Sequence, residues 1–255
     1  MKNNWIPMPR FLLRKNALIK ILKGIKLNNM NCLEIGFGSG DILKLIASKG
    51  SFITGFDFSN KAVEIAKQRI HNFKWKKHIR ITKNIKDIAH SSYDIVMAFE
   101  VLEHIKDDEL EIDNWLSYIK PGGSLILSVP AHMSKWNASD IWAGHYKRYE
   151  KNELIKMFEK RNIEIIKLWN YGFPLSLVLD KLLGAAKKNE VKGYDENTNK
   201  AELSKNSGID RKNKLIYRML SNDIALSPFY LIQSMFFNSD KGSGYILHVK
   251  KNEKK

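Results

Sequence analysis

The stretch Leu33-Glu34-Ile35-Gly36-Phe37-Gly38-Ser39-Gly40 leaves a short apolar segment and enters three glycines at alternate positions. Glycine has no Cβ, so such a turn can leave a strand tightly and let a ligand approach the backbone at van der Waals distance. The next strand-like run, Phe52-Ile53-Thr54-Gly55-Phe56, ends on Asp57. A carboxylate at that tip can accept both hydroxyl hydrogens of a ribose diol. Together the two features read as a site for an adenosine-containing cofactor lying across the carboxyl edge of a parallel sheet. A dinucleotide fingerprint needs a glycine at position 41, where Asp41 would repel a pyrophosphate. A Walker loop is excluded too, because no Gly-Lys-Ser/Thr follows.

Further motifs follow in order. Glu34, Gly36, Gly38 and Gly40 satisfy acidic-x-Gly-x-Gly-x-Gly, and Asp57 comes next. Tyr93-Asp94-Ile95-Val96 is followed by Val101-Leu102-Glu103-His104-Ile105, and Leu116 to Lys120 lead into Pro121-Gly122-Gly123-Ser124-Leu125. Four motifs in this order over roughly 100 residues exceed what one glycine-rich loop can carry. On these residues the chain resembles the class I S-adenosylmethionine-dependent methyltransferases, in their broad type 11/12-like group. The resemblance implies S-adenosylmethionine as cofactor, lined by Glu34, Gly36, Gly38, Gly40, Asp57, Phe58, Asn84, Ile85 and Phe99. Family members place an acidic residue against the adenine amine after the third strand; here Asn84 stands there, with Asp87 three residues on. Glu34 either neutralises the cofactor's ammonium or is a strand-end carboxylate bonding nearby amides.

Alternating strand and helix patterns predict an α/β fold, a doubly wound seven-stranded mostly parallel sheet of Rossmann-like methyltransferase type, with a long insertion before the last strand. Residues 1–30 read as a basic arm and a helix over 10–27, and residues 31–255 as the methyltransferase domain. Ser59 is positioned to cap a helix whose buried stripe is Ala62, Val63, Ala66 and Ile70. Strands are expected at 79–85, 93–99, 124–129, 163–171 and 244–250. The Lys/Asn-rich segment 187–214 has few core-forming residues and is expected to be mobile.

At 255 residues and 44% apolar content the chain suits one large domain. Its single cysteine, Cys32, precludes an internal disulfide and suits a reducing, cytoplasmic setting as a small buried hydrophobe. Lysines interrupting the apolar residues of the first helix argue against a signal peptide, and the stretch 224–237 is too short to span a bilayer. No Cys/His cluster has zinc spacing and the seven histidines are scattered, so no metal is expected. The formal charge is +16, and Met1 to Cys32 hold no acidic residue. That field would attract nucleic acid, anionic lipid at the inner face of a membrane or an acidic substrate, unless it is only compositional bias.

Methyl transfer to oxygen needs a base for the acceptor's proton, and histidine suits that role near neutral pH. His104, after the fourth strand, and His145, in the loop after the fifth, are the candidates. That loop also holds His132, Trp136, Asp140, Trp142, Lys147, Arg148 and Tyr149, and its Asp140-to-Tyr149 pattern resembles one common to many family members. The leading expectation is methylation of oxygen on a small-molecule, glycan or lipid-linked acceptor. An RNA methyltransferase and a non-catalytic cofactor-binding or membrane-surface module are the alternatives. Absence of an Asn/Asp-Pro-Pro-Tyr/Phe tetrapeptide weighs against amino methylation of nucleic acid.

Overall fold

A computed structural model of the chain describes residues 6–194, 198–207 and 222–253. Its centre is one seven-stranded sheet in the order β3-β2-β1-β4-β5-β7-β6. The strands are β1 (Asn31–Ile35), β2 (Phe52–Phe56), β3 (Ile79–Thr82), β4 (Tyr93–Phe99), β5 (Ile119–Pro130), β6 (Glu164–Tyr171) and β7 (Gly244–Lys250). Only β7 runs antiparallel to its neighbours. The strand order reverses between β1 and β4, and open parallel sheets bind ligands in the crevice at such a switch point.

The helices are α1 (Pro9–Leu22), α2 (Asp41–Ala47), α3 (Asn60–Ile70), α4 (Asp108–Tyr118), α5 (Ala138–Ala143), α6 (Lys151–Glu159), α7 (Leu175–Lys187), α8 (Lys200–Ser207) and α9 (Asp223–Met235). They cover both faces of the sheet, which is why the central strands are almost continuously apolar. Successive β4 residues divide between two cores: Ile95, Met97 and Phe99 face α1, α2 and α3, while Val96 and Ala98 face α4 and α6. Ser59 caps α3 by accepting from Ala62 N–H, and Ala62, Val63, Ala66 and Ile70 are buried as expected. Cys32 is fully buried, and burial pushes its thiol up to about 12, so it is inert.

Several boundaries differ from the sequence expectation. Helix α1 stops at Leu22, where Lys23 and Gly24 turn back onto Ile19 and Ile21 carbonyls. Strand β3 ends at Thr82 because the Asn84 side chain caps a 3-10 turn, Ile85–Asp87. Strand β5 begins at Ile119, and Pro121-Gly122-Gly123 lie in an irregularity of its pairing with β4. Of the segment 187–214, residues 195–197 and 208–214 lie outside the described residues, while Lys200–Ser207 is helical and packs against α5. Among the described residues no helix is long and apolar enough to cross a membrane.

Candidate active site

The glycine loop is built as its sequence requires. Gly36, Gly38 and Gly40 all have positive φ, at 72°, 53° and 76°, a region that L side chains rarely adopt. Gly36 is also packed: a Cβ there would lie 2.5 Å from Val101 Cγ2. At Gly38 a Cβ would meet nothing within 4 Å, so this backbone faces open space. The Gly38 N–H donates to Asp57 Oδ2 (2.9 Å) and the Ser59 N–H to Asp57 Oδ1 (2.9 Å), which ties the loop to the tip of β2. Burial raises the Asp57 carboxyl above its ordinary value, opposed by these two N–H groups. Each oxygen keeps a lone pair for a further donor. Asp41, which stands where a dinucleotide loop needs glycine, anchors the loop to α3, whose Arg69 grips it with two contacts of 2.8 Å.

Phe58 and Ile85 are exposed apolar side chains beside this edge, at 51% and 44% of full accessibility. Asn84 is exposed, and its Oδ1 accepts from Lys86 N–H. Asp87 accepts from Thr82 Oγ1 (2.5 Å) and lies 3.6 Å from Arg80, so both candidates for the adenine contact are engaged locally. Glu34 is buried, with Oε2 lacking a hydrogen-bond partner. Burial raises its carboxyl well above the carboxylate range, while Arg14 and the Leu43 N–H oppose the rise.

Sequence reasoning missed the charges that converge beside this loop. Glu100, the first residue after β4, has φ 55°, a left-handed conformation uncommon for a non-glycine residue and a recurrent mark of functional sites. Its carboxylate accepts from Ser128 Oγ (3.0 Å) and Tyr171 Oη (3.1 Å) and lies 3.6 Å from Arg14 and 3.8 Å from Arg10. Burial opposes its ionisation, yet Arg10, Arg14 and Ser128 outweigh burial and lower its pKa. Arg10 is in turn 3.5 Å from Asp180 of α7. The guanidinium of Arg14 stacks over Phe99, 5.7 Å from the ring centroid. In the sequence Arg10 and Arg14 look like two more cations of a basic segment; the only local signal for Glu100 is an acid directly after an apolar strand.

The two histidines are brought together. His104 ends the 3-10 turn Leu102–His104, and its ring meets His145 edge-on at 4.6 Å between centroids. Burial and then the neighbouring His145 lower His104 to about 3, so it is neutral, and its Nδ1 has no hydrogen-bond partner. His145 Nδ1 lies 3.0 Å from Asp140 Oδ1. Asp140 is buried, which disfavours its charge, but His145 and Arg148 hold it down at about 2. An ionised carboxylate only accepts, so the Nδ1 proton belongs to His145, and in the neutral imidazole the lone pair then sits on Nε2. Arg148, wholly buried, completes the chain by donating Nε to Oδ1 (2.9 Å) and Nη2 to Oδ2 (2.8 Å). Glu103 lies 3.9 Å from His145 Nε2 with both oxygens unpartnered, and burial raises its carboxyl well above the usual range. Histidines that look scattered in sequence thus converge: Glu103, His104 and His145 offer ligand-type atoms all within 4.8 Å of one another. His132, by contrast, sits apart, between Glu150 and Asp240.

The residues fit S-adenosylmethionine on grounds of this structure. Gly38 presents open backbone, Asp57 stands at the β2 tip for a ribose diol, and Phe58 and Ile85 are apolar surfaces for the adenine. Arg14 would hold the carboxylate of the methionyl end, and the unpartnered Oε2 of Glu34 and the ionised Glu100 would face its ammonium. Exchanging Arg14 for methionine is expected to weaken cofactor binding by about 1–3 kcal/mol, the range for a hydrogen bond to a charged group. Isothermal calorimetry measures this, and an unchanged affinity would remove Arg14 from the site.

Fold and site together define a class I S-adenosylmethionine-dependent methyltransferase. A family model described as a methyltransferase domain matches residues 9–173, more than half of the chain, and the protein belongs to that family. The ubiquinone biosynthesis O-methyltransferase of Coxiella burnetii is 30% identical over 125 residues, covering 47% of this chain and 52% of the relative. That of Saccharophagus degradans is 30% identical over 100 residues, covering 38% and 42%. The chain therefore spans about half the length of the curated relatives it matches. Among solved structures, the Haemonchus contortus phosphoethanolamine N-methyltransferase 2 in complex with S-adenosyl-L-methionine has a TM-score of 0.61 at 17% identity, covering 98% of this chain and 55% of that one. The [4+2]-cyclase SpnF has a TM-score of 0.60 at 15% identity, covering 94% and 81%. At these identities the likeness concerns the fold alone, and a cyclase among the neighbours illustrates that the fold does not dictate the reaction.

Proposed function

We propose that the protein transfers the methyl group of S-adenosylmethionine to a hydroxyl oxygen of a small-molecule acceptor, with His145 as general base. The observation that carries this reading is the buried Arg148–Asp140–His145 chain, which orients an imidazole with its lone pair on Nε2. Two relatives named as O-methyltransferases support the choice of oxygen. The cofactor supplies, when bound, a methyl on a sulfonium that departs as a neutral thioether. Everything else falls to the chain. Arg14, Glu100 and Asp57 orient the cofactor, and alignment of reactants supplies much of the rate in such a displacement. His145 Nε2 takes the acceptor's proton, and Asp140 stabilises the imidazolium that forms, as Arg148 holds the carboxylate in place. His104, kept neutral by burial, walls the base without competing for that proton. An imidazole matches a phenolic hydroxyl far better than an aliphatic alcohol, because their ordinary pKa values differ less. A phenol- or quinol-like acceptor is therefore favoured, whether free or carried on a lipid.

Substitution of His145 by alanine is expected to lower kcat about 10²- to 10⁴-fold, with cofactor affinity preserved. Label transfer from S-adenosylmethionine to a panel of catechols, phenols and RNA tests the reading. Methylated RNA with no methylated phenol, or a His145→Ala enzyme of full activity, would reject it.

A further inference from the structure

We infer that helix α9 is a docking surface for an anionic lipid bilayer, a property separate from the methyl-transfer reading and independent of it. The chain is 27% charged, yet the thirteen residues of α9, Asp-Ile-Ala-Leu-Ser-Pro-Phe-Tyr-Leu-Ile-Gln-Ser-Met, contain one charge, Asp223. Asp223 is engaged by the Tyr230 hydroxyl at 2.7 Å. The inner side of the helix is made by Leu226, Phe229 and Tyr230, with a buried glutamine, Gln233, completing it. Gln233 donates to Leu13 O (3.1 Å) and Asn16 Oδ1 (3.2 Å) of α1 and accepts from Gly172 N–H (3.1 Å) at the end of β6. Leu226 is buried beside it.

The outer face, which an amphipathic helix normally leaves polar, carries a second apolar row. Ile224 is 80% exposed, Leu231 69%, Ile232 37% and Met235 81%. With the exposed Pro228 they fall at i, i+4, i+7, i+8 and i+11, one continuous face. Pro228 does not break it: the proline removes the donor to the Ile224 carbonyl, and Ser227 Oγ donates there instead at 2.8 Å. Contiguous apolar side chains left exposed on one helix face mark an interaction surface, as scattered single hydrophobes do not.

Charge selects which surface. Two ammonium groups lie near the residues that directly follow α9. Lys20 of α1 lies 5.9 Å from the Phe237 ring, and Lys241 lies 5.9 Å from Phe173, which in turn contacts Phe236. Lys23 and Lys26 continue the exposed cationic set beyond α1, in a segment without an acidic residue up to Cys32. Apolar side chains entering the acyl boundary beneath a rim of lysines is the arrangement of interfacial helices on anionic leaflets. A neutral protein partner would not use the rim. Gln233 places the surface one helix away from Arg10 and Arg14, so a docked bilayer would lie next to the helix that flanks the candidate active site.

Sedimentation with vesicles of phosphatidylglycerol and phosphatidylcholine, against vesicles of phosphatidylcholine alone, tests the inference on the full chain. Binding to the anionic vesicles at low salt is expected, lost at high salt, with each of Lys20→Gln and Lys241→Gln weakening it about fivefold. The pair Leu231→Glu with Met235→Glu, both exposed and therefore compatible with folding by circular dichroism, should abolish it while leaving S-adenosylmethionine affinity unchanged. No binding to anionic vesicles at low salt overturns the inference, as does undiminished binding by the Leu231→Glu/Met235→Glu protein. A wild-type dimer in light scattering that the same double substitution dissociates, without vesicle binding, would assign the face to self-association and overturn it too. Because the readout is partition rather than turnover, failure here leaves the proposed reaction standing.

Discussion

Valine at position 38 should abolish S-adenosylmethionine binding and leave the domain folded. The Gly38 Cα faces open space: a Cβ there meets no heavy atom beyond the chain neighbours within 4 Å. What the valine methyls fill is the room above the loop that a ligand backbone contact needs. The fold loses only the strain of a β-branched residue at φ 53°, about 1–2 kcal/mol. Binding should fall by more than about 100-fold, beyond about 2.7 kcal/mol. Alanine at Asp57 belongs to the same test: it removes the acceptor for a diol together with the anchor for the Gly38 and Ser59 N–H groups, and should weaken binding by about 2–3 kcal/mol. Calorimetry beside circular dichroism separates lost binding from lost fold. Normal affinity in either variant would contradict the ribose and loop assignments. Gly36 is the contrasting position, since any side chain there strikes Val101 and should destabilise the domain itself.

The largest effect on stability is expected from Asp140→Ala. Arg148 is completely buried, and among the described residues its charge keeps, without Asp140, the Ala131 carbonyl at 3.4 Å and Asp180 at 3.7 Å. Breaking a buried pair by removing one partner costs about 3–5 kcal/mol because the other charge stays desolvated. The substitution also opens the cap of α5, where Asn137 N–H donates to Asp140 Oδ2 at 2.9 Å. Urea denaturation should show the loss, and Asp140→Asn, which keeps the shape, should lose less. The same residue shapes the acid limb of stability. Its folded pKa of about 2 lies below the ordinary 3.8, so its contribution is present above pH 4 and disappears as pH falls toward 2. That contribution is about 2 kcal/mol. Glu34 and Glu103 act with the opposite sign: their raised values make the folded state bind protons, and what they contribute is lost as pH rises. Subtracting the Asp140→Ala curve from the wild-type curve isolates the acid limb, and a flat difference between pH 5 and pH 2 would refute the assignment.

Features that depend on a few consecutive residues were legible without coordinates. The glycine turn is one, because three alternate glycines permit a backbone path that other residues resist, and all three do have positive φ. The strands of the central sheet are another, since burial on both faces forces runs of apolar residues. The cap at Ser59 and the stripe of α3 follow from local hydrogen bonding and helical period. Boundaries were less legible: β3 ends early because a side chain, Asn84, bonds its own backbone more favourably than the sheet does.

What the sequence alone determined, then, is the scaffold and the cofactor edge, where one local pattern has one physical solution. Tertiary structure alone decided the rest of the site. Arg14, Glu100 and Tyr171 are far apart in the chain and meet only because α1 and β6 pack at the same sheet edge. His104 and His145 become neighbours through the docking of α5 and its following loop against the turn after β4, and the chain of bonds from Arg148 through Asp140 then assigns the proton. The outward apolar face of α9 is also invisible to periodicity, which shows that a stripe exists but not which way it points. Inward packing of Leu226, Phe229 and Tyr230, with Gln233 bonding α1 and the end of β6 at once, sets that direction. Charge and hydrogen-bond partners across space depend on burial and orientation, and neither is written in the spacing of residues along a chain.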